Sequence, residues 1–175
     1  NNNPQDIKHV FFAESAYDIM AFYQANKAKL QGELDKSVFV SIGGTFSNQQ
    51  VAGIMNYYSH ARAVDCFDND IPGRIYGMRM VGVVEKVPLS INQHDKMIDV
   101  NYNGLTHILD AETANLHSLR SIIHFKREYG IEKAPAAFKD WNDVIQNKPS
   151  TMILSKSKYE RDESLRERRT GGIKM

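Results

Sequence analysis

Apolar positions along the chain fall into short compact runs separated by longer stretches of helical period. The run His9-Val10-Phe11-Phe12-Ala13 is rich in β-branched and aromatic residues and predicts a buried strand that ends at Glu14. From Ser15 the period changes: Tyr17, Ile19, Met20, Phe22, Tyr23, Ala28 and Leu30 recur at helical spacing, with Ser15 as N-cap and Asp18 in the first turn. Gly32 and the charged residues 33–36 close that helix. Residues 37–42 predict a second strand that runs into Gly43-Gly44-Thr45, and a helix over 47–59 follows with Val51, Ile54, Met55 and Tyr58 on one face. A third apolar run, residues 63–67, leads into Asp68-Asn69-Asp70, and a Pro72-Gly73 step opens a helix over 73–83. Three successive strand–helix units imply right-handed crossovers and a parallel, doubly wound sheet.

The C-terminal half is patterned differently. Residues 84–88 read as a return strand or loop. Within 91–110, residues 97–102 alternate, Asn103-Gly104 is a strong hairpin dipeptide and 105–109 follow, which predicts an antiparallel β-hairpin insertion. Residues 111–128 carry Leu116, Leu119, Ile122 and Ile123 at helical spacing and predict an amphipathic helix closed by Tyr129-Gly130. Asp140 is placed to cap a last short helix. From Ser155 the chain is polar and basic, so the expected organisation is one domain over 1–150 and a tail or linker over 151–175. The opening Asn1-Asn2-Asn3-Pro4, without an initiator methionine, suggests a domain excised from a longer protein.

Composition narrows the picture modestly. With 175 residues, 42% hydrophobic and 25% charged, the chain is ordinary for one globular domain with a real core. A formal net charge of +1 gives no global drive toward nucleic acid or anionic membrane, so such a partner must be met by a local patch. The single cysteine, Cys66, excludes an internal disulfide and a Cys-rich zinc site, and its place in an apolar run makes it a core residue. A reducing, cytoplasmic setting is expected. No apolar stretch approaches the roughly 18–20 residues of a membrane span, so no membrane partner is expected.

The candidate chemistry lies in Asp68-Asn69-Asp70. On an extended strand, residues two apart share a side with Cα atoms roughly 6–7 Å apart, so both carboxylates can aim at one point. Such a pair raises its own pKa values unless a cation sits between, and hard oxygen donors suit Mg²⁺ or Mn²⁺. Taken alone, the triplet reads first as a solvated turn capping a helix. Yet Glu14, Gly43-Gly44, Asp68 and Asp70 all fall at carboxyl ends of predicted strands, where ligands gather in doubly wound sheets. That convergence favours an acidic site.

The order strand–Glu14, strand–Gly43-Gly44, strand–Asp68-x-Asp70-x-x-Gly73-Arg74 resembles the TOPRIM domain of bacterial primases, type IA and II topoisomerases and recombination nucleases. Phe12-Ala13-Glu14-Ser15-Ala16-Tyr17-Asp18 is similar to that family's first motif, and Phe67 to Arg74 to its D-x-D motif. Lys139-Asp140-Trp141-Asn142-Asp143 resembles a closing motif of the branch found in conjugative and mobilisable elements. The resemblance implies an α/β, Rossmann-like TOPRIM fold with a mostly parallel central sheet flanked by helices. It implies that Asp68 and Asp70 bind Mg²⁺ (or Mn²⁺), with Glu14 as a third ligand or as general acid or base. Gly43 and Gly44 either let backbone approach a phosphate or form a plain tight turn, and Arg74 either meets phosphate or lies free on the surface. Asp18, Asp140 and Asp143 are supporting candidates, and Trp141 is a packing anchor. The implied function is Mg²⁺-dependent processing of DNA or RNA, as primase-like nucleotidyl transfer or strand cleavage, in a mobile-element replication or transfer protein. Nucleotides and other domains of a longer chain are the further partners expected. The alternatives are a non-catalytic nucleic-acid or protein binding module and a receiver-type phosphoacceptor, the latter disfavoured by its need for a lone acceptor aspartate.

Overall fold

Strand β1 (His9–Ala13) is apolar on both sides, because Val10 and Phe12 face one hydrophobic cluster while Phe11 and Ala13 face another. A strand covered on both faces needs no polar alternation, which is why it reads as a continuous apolar run. The computed structural model describes residues 3–150, and the expected basic tail lies outside the described residues. Helix α1 (Ala16–Leu30) follows, then β2 (Ser37–Ser41), α2 (Asn48–Tyr57), β3 (Arg62–Asp65) and α3 (Ile71–Glu85). The strands pair in parallel, with His9 opposite Ser37 on one side and Arg62 on the other.

Beyond α3 the chain forms β4 (Leu89–His94), β5 (Met97–Tyr102) and β6 (Leu105–Asp110), a separate antiparallel sheet in that order. Asn103 and Gly104 both adopt positive φ, as the two-residue hairpin turn requires. The predicted hairpin is therefore two strands of three; the third, β4, covers residues to which no element of their own was assigned. Ile91, Ile98 and Val100 from this sheet join the main core. Residues 84 and 85, read as a return strand or loop, instead complete α3.

The predicted helix over 111–128 shrinks to α4 (Leu116–Arg120). At its start Asp110 takes the amides of Glu112 and Thr113 and Asn115 caps the helix late; toward its end the reason is Glu85. Its buried carboxylate accepts from the amides of Lys126 and Arg127, each at 3.0 Å, and from the Tyr129 hydroxyl at 2.7 Å. Amides bound to a carboxylate cannot also serve a helix ladder, so the segment runs irregularly past α3. Gly130, expected to close a helix, begins β7 (Gly130–Ile131), which pairs in parallel with β3 to give the order β2-β1-β3-β7. A Cβ at Gly130 would press on the Val64 side chain at 2.9 Å, so a bulkier residue would push this short strand off the sheet.

The chain closes with α5 (Trp141–Gln146). Trp141 is buried among Phe22, Ile19 and Val64, with its ring edge-on to Phe22 at 5.2 Å, and its Nε1 donates to the Glu132 carbonyl at 3.2 Å. One face of the parallel sheet thus packs on α1 and α5, and the other on α2 and α3. This is the α/β, Rossmann-like arrangement expected, with helices on both faces of a parallel sheet. Among the described residues no helix is long and apolar enough to cross a membrane.

Candidate metal centre at the carboxyl ends of the strands

Glu14 sits where β1 gives way to α1. Ser15 fixes that junction, since its Oγ accepts from the Asp18 amide at 3.2 Å and donates to Asp18 Oδ2 at 2.5 Å. The cap starts the helix at once and leaves Glu14 at the sheet edge, half-buried.

Strand β3 ends at Asp65, so Asp68 and Asp70 do not share one side of an extended strand as the spacing suggested. They lie on the loop between β3 and α3, and a different device aims them. Asp70 is the N-cap of α3, its Oδ1 accepting from the Gly73 amide at 2.9 Å. Gly73 lies directly against Asp68, where an added Cβ would collide with the Asp68 backbone oxygen and nitrogen. Only a residue without a side chain lets the first turn of α3 approach the loop this closely. The turn reading and the acidic-site reading are therefore both physically present: Asp70 caps the helix through Oδ1 and also offers an oxygen within 4.8 Å of oxygens from Glu14 and Asp68.

The result is a group of three carboxylates, Glu14, Asp68 and Asp70, each offering an oxygen within 4.8 Å of the others. A second group, Asp18, Asp68 and Asp140, meets the same limit and shares Asp68. Asp140 arrives as N-cap of α5, accepting from the Asp143 amide at 2.7 Å; Asp143 joins neither group.

Crowding of like charges away from water has the expected effect. Asp68, only 5% exposed, is pushed up to about 7 by burial and by the charges of Glu14 and Asp18. Glu14 is raised by burial and by Asp70, and Asp18 by burial against the opposing Ser15 hydrogen bond. Glu14 Oε1 and Asp68 Oδ1 are buried without a hydrogen-bond partner. Buried carboxylate oxygens rarely go unpaired, and here two do so in one cluster. An oxygen-only donor set with two orphaned acceptors fits a hard divalent cation such as Mg²⁺.

Sequence reasoning missed Lys139 as a site residue. Its Nζ lies 3.2 Å from Asp68 Oδ2 and 3.2 Å from Asp70 Oδ2, bridging the pair. Burial works to lower the Lys139 pKa, but the two carboxylates outweigh it and raise it. The available signal was the Lys-Asp step itself, a cation beside a candidate acid. Asn69, the uncharged centre of the triplet, delivers this segment: its Nδ2 donates to the Ala134 and Phe138 carbonyls at 2.9 and 2.8 Å, and its amide donates to the Lys139 carbonyl at 2.7 Å.

The other candidates are placed as follows. Gly43 and Gly44 are exposed with positive φ, and their amides donate to Ser41 Oγ at 3.2 Å and the Glu14 carbonyl at 2.8 Å. The bond from Gly44 ties the turn after β2 to Glu14. Arg74 donates to the Ala111 carbonyl at 3.2 Å and lines a cleft of ≈ 560 Å³ that also borders Asp68, Lys133 and His117.

A family model described as Toprim-like matches residues 11–104, a stretch that holds Glu14, Asp68 and Asp70 and ends before Lys139. No curated protein and no solved structure matches the chain.

Proposed function

Because the chain belongs to the Toprim-like family, whose domain points to metal-dependent processing of nucleic acid, we propose that it is a Mg²⁺-dependent module acting on DNA or RNA. Its chemistry is primase-like nucleotidyl transfer or strand cleavage, within a replication or transfer protein of a mobile element. Residues 1–150 form the acting domain in this reading, with 151–175 a basic tail or linker. One observation carries the reading: three carboxylates converge within 4.8 Å with two buried oxygens left unpaired.

In this reading Asp68 and Asp70 hold the ion, and Glu14 is either its third ligand or the general acid or base beside it. When bound, Mg²⁺ supplies Lewis-acid polarisation of a phosphoryl oxygen. The chain's own residues do the rest. Where it does not ligate the ion, Glu14, whose pKa burial and the charge of Asp70 raise, is the group able to take or return a proton. Asp18 and Asp140 keep Asp68 in a field of negative charge that a cation relieves. Arg74 faces a cleft wide enough for a phosphodiester and retains guanidinium donors beyond the one bound to Ala111. The turn at Gly43 and Gly44 lets a strand pass close to the backbone.

The deciding experiment is Mn²⁺ calorimetry alongside plasmid nicking and primer synthesis in Mg²⁺. Wild type binds the ion, and the Asp68→Ala/Asp70→Ala double variant loses both binding and turnover. Unchanged Mn²⁺ binding in the double variant refutes the reading. Single-stranded DNA binding with steep salt dependence but no turnover makes the chain a binding module instead.

A further inference from the structure

Lys139 poses a problem for any ion at this centre. Its ammonium already bridges Asp68 Oδ2 and Asp70 Oδ2 at 3.2 Å each. Asp70 Oδ1 is taken by the cap of α3, so an ion bound to Asp70 must use Oδ2, the same oxygen that the ammonium holds. The two cations exclude each other both sterically and by charge.

The lysine is nonetheless an incomplete occupant. One positive charge faces the three carboxylates of Glu14, Asp68 and Asp70, and Glu14 Oε1 and Asp68 Oδ1 stay unpaired beside it. Its backbone is fixed, because the Asn69 amide holds the Lys139 carbonyl at 2.7 Å and Asp140 caps α5 immediately after. Its side chain is not, being 50% exposed on a flexible four-carbon stem. Leaving the carboxylates therefore needs only rotation of the side chain into solvent, with no change in the fold.

We infer that Lys139 is an exchangeable internal cation: it holds Asp68 and Asp70 together in the metal-free protein, and a divalent ion binds by displacing its ammonium. This rests on the reading of Glu14, Asp68 and Asp70 as a metal centre and adds a built-in competitor to it. Lys139 thereby lowers the apparent affinity for the ion, and on displacement its ammonium moves to the mouth of the site, where a phosphate would arrive.

The test uses the full chain and Mn²⁺ as probe. Lys139→Met is expected to bind Mn²⁺ about tenfold more tightly than wild type, since the competitor is gone, while Lys139→Arg, which keeps the charge, stays near wild type. In wild type, Mn²⁺ is expected to increase acylation of Lys139 by an N-hydroxysuccinimide ester, scored by peptide mass against exposed Lys27. The acylation measurement decides the matter on its own where the methionine variant does not fold. Equal or weaker binding by Lys139→Met, or acylation of Lys139 indifferent to saturating Mn²⁺, overturns the exchange while leaving the metal centre standing. Absence of Mn²⁺ binding in both wild type and Lys139→Met overturns the metal centre and the exchange together.

Discussion

Lys133 places its ammonium 2.6 Å from Oδ1 of Asp65, a carboxylate at the end of β3 that is only 3% exposed. The same ammonium donates to the Phe67 carbonyl at 2.9 Å and lies over the Phe67 ring at 5.9 Å. Gly77 backs the pair from α3, where a Cβ would strike Asp65 Oδ2. Burial raises the Asp65 pKa and Lys133 opposes it, so the pair behaves as a unit that ties β3 to the loop bearing Asp68.

Breaking that unit from one side should be costly. Lys133→Met leaves Asp65 buried and uncompensated, a loss of about 3–5 kcal/mol in urea unfolding. The double variant Asp65→Asn/Lys133→Met, which removes both charges, should recover most of it. A single variant as stable as wild type would show that Asp65 is already neutral in the fold.

Gly73 is required for a different reason. In Gly73→Ala the new methyl meets backbone rather than a flexible side chain, so the loop at Asp68 or the first turn of α3 must shift. The expected cost is about 1–3 kcal/mol, of the kind seen on overpacking. Because the displaced atoms belong to Asp68, Mn²⁺ binding should weaken more than stability does, which calorimetry and thermal melts on one sample would separate.

The acidic cluster should also make the metal-free protein sensitive to pH in an unusual direction. Asp68 is raised from the ordinary 3.8 to about 7, so between those values the folded chain holds more protons than the unfolded one. Stability from this group is therefore greatest at low pH and declines as pH rises through that window. Glu14 and Asp18, also raised, act in the same sense. Asp68→Asn should be more stable than wild type at pH 8 without metal and gain little at pH 4. Added Mg²⁺ should stabilise wild type at pH 8 and leave the variant unchanged.

Legibility of the chain followed how local each signal was. The three strand–helix units were readable because apolar runs, the Ser15 and Ser47 caps and the Pro72-Gly73 step act within a few residues. The hairpin turn at Asn103-Gly104 was readable for the same reason. The helix over 111–128 was misread because its periodicity is genuine but a carboxylate some forty residues upstream, Glu85, takes the amides of Lys126 and Arg127. In the site, Glu14, Asp68, Asp70 and Asp140 are brought together, whereas the strand geometry expected to align Asp68 with Asp70 is replaced by a helix cap. Lys139 escaped notice because the Lys-Asp step marks a cation beside an acid without saying that the cation faces Asp68, far away in the chain.

The bonds from Asn69 span 65 and 69 positions to Ala134 and Phe138, making the closure of the site one of the longer-range events in the chain. Such contacts require a large loop to close before they return any stabilisation, so they form late. In chain order the β3 loop comes some sixty residues before the 132–143 segment that completes the site. The counter-cation of the acidic cluster therefore belongs to the last segment of the fold to be secured, and the uncharged residue at the centre of the triplet is what receives that segment.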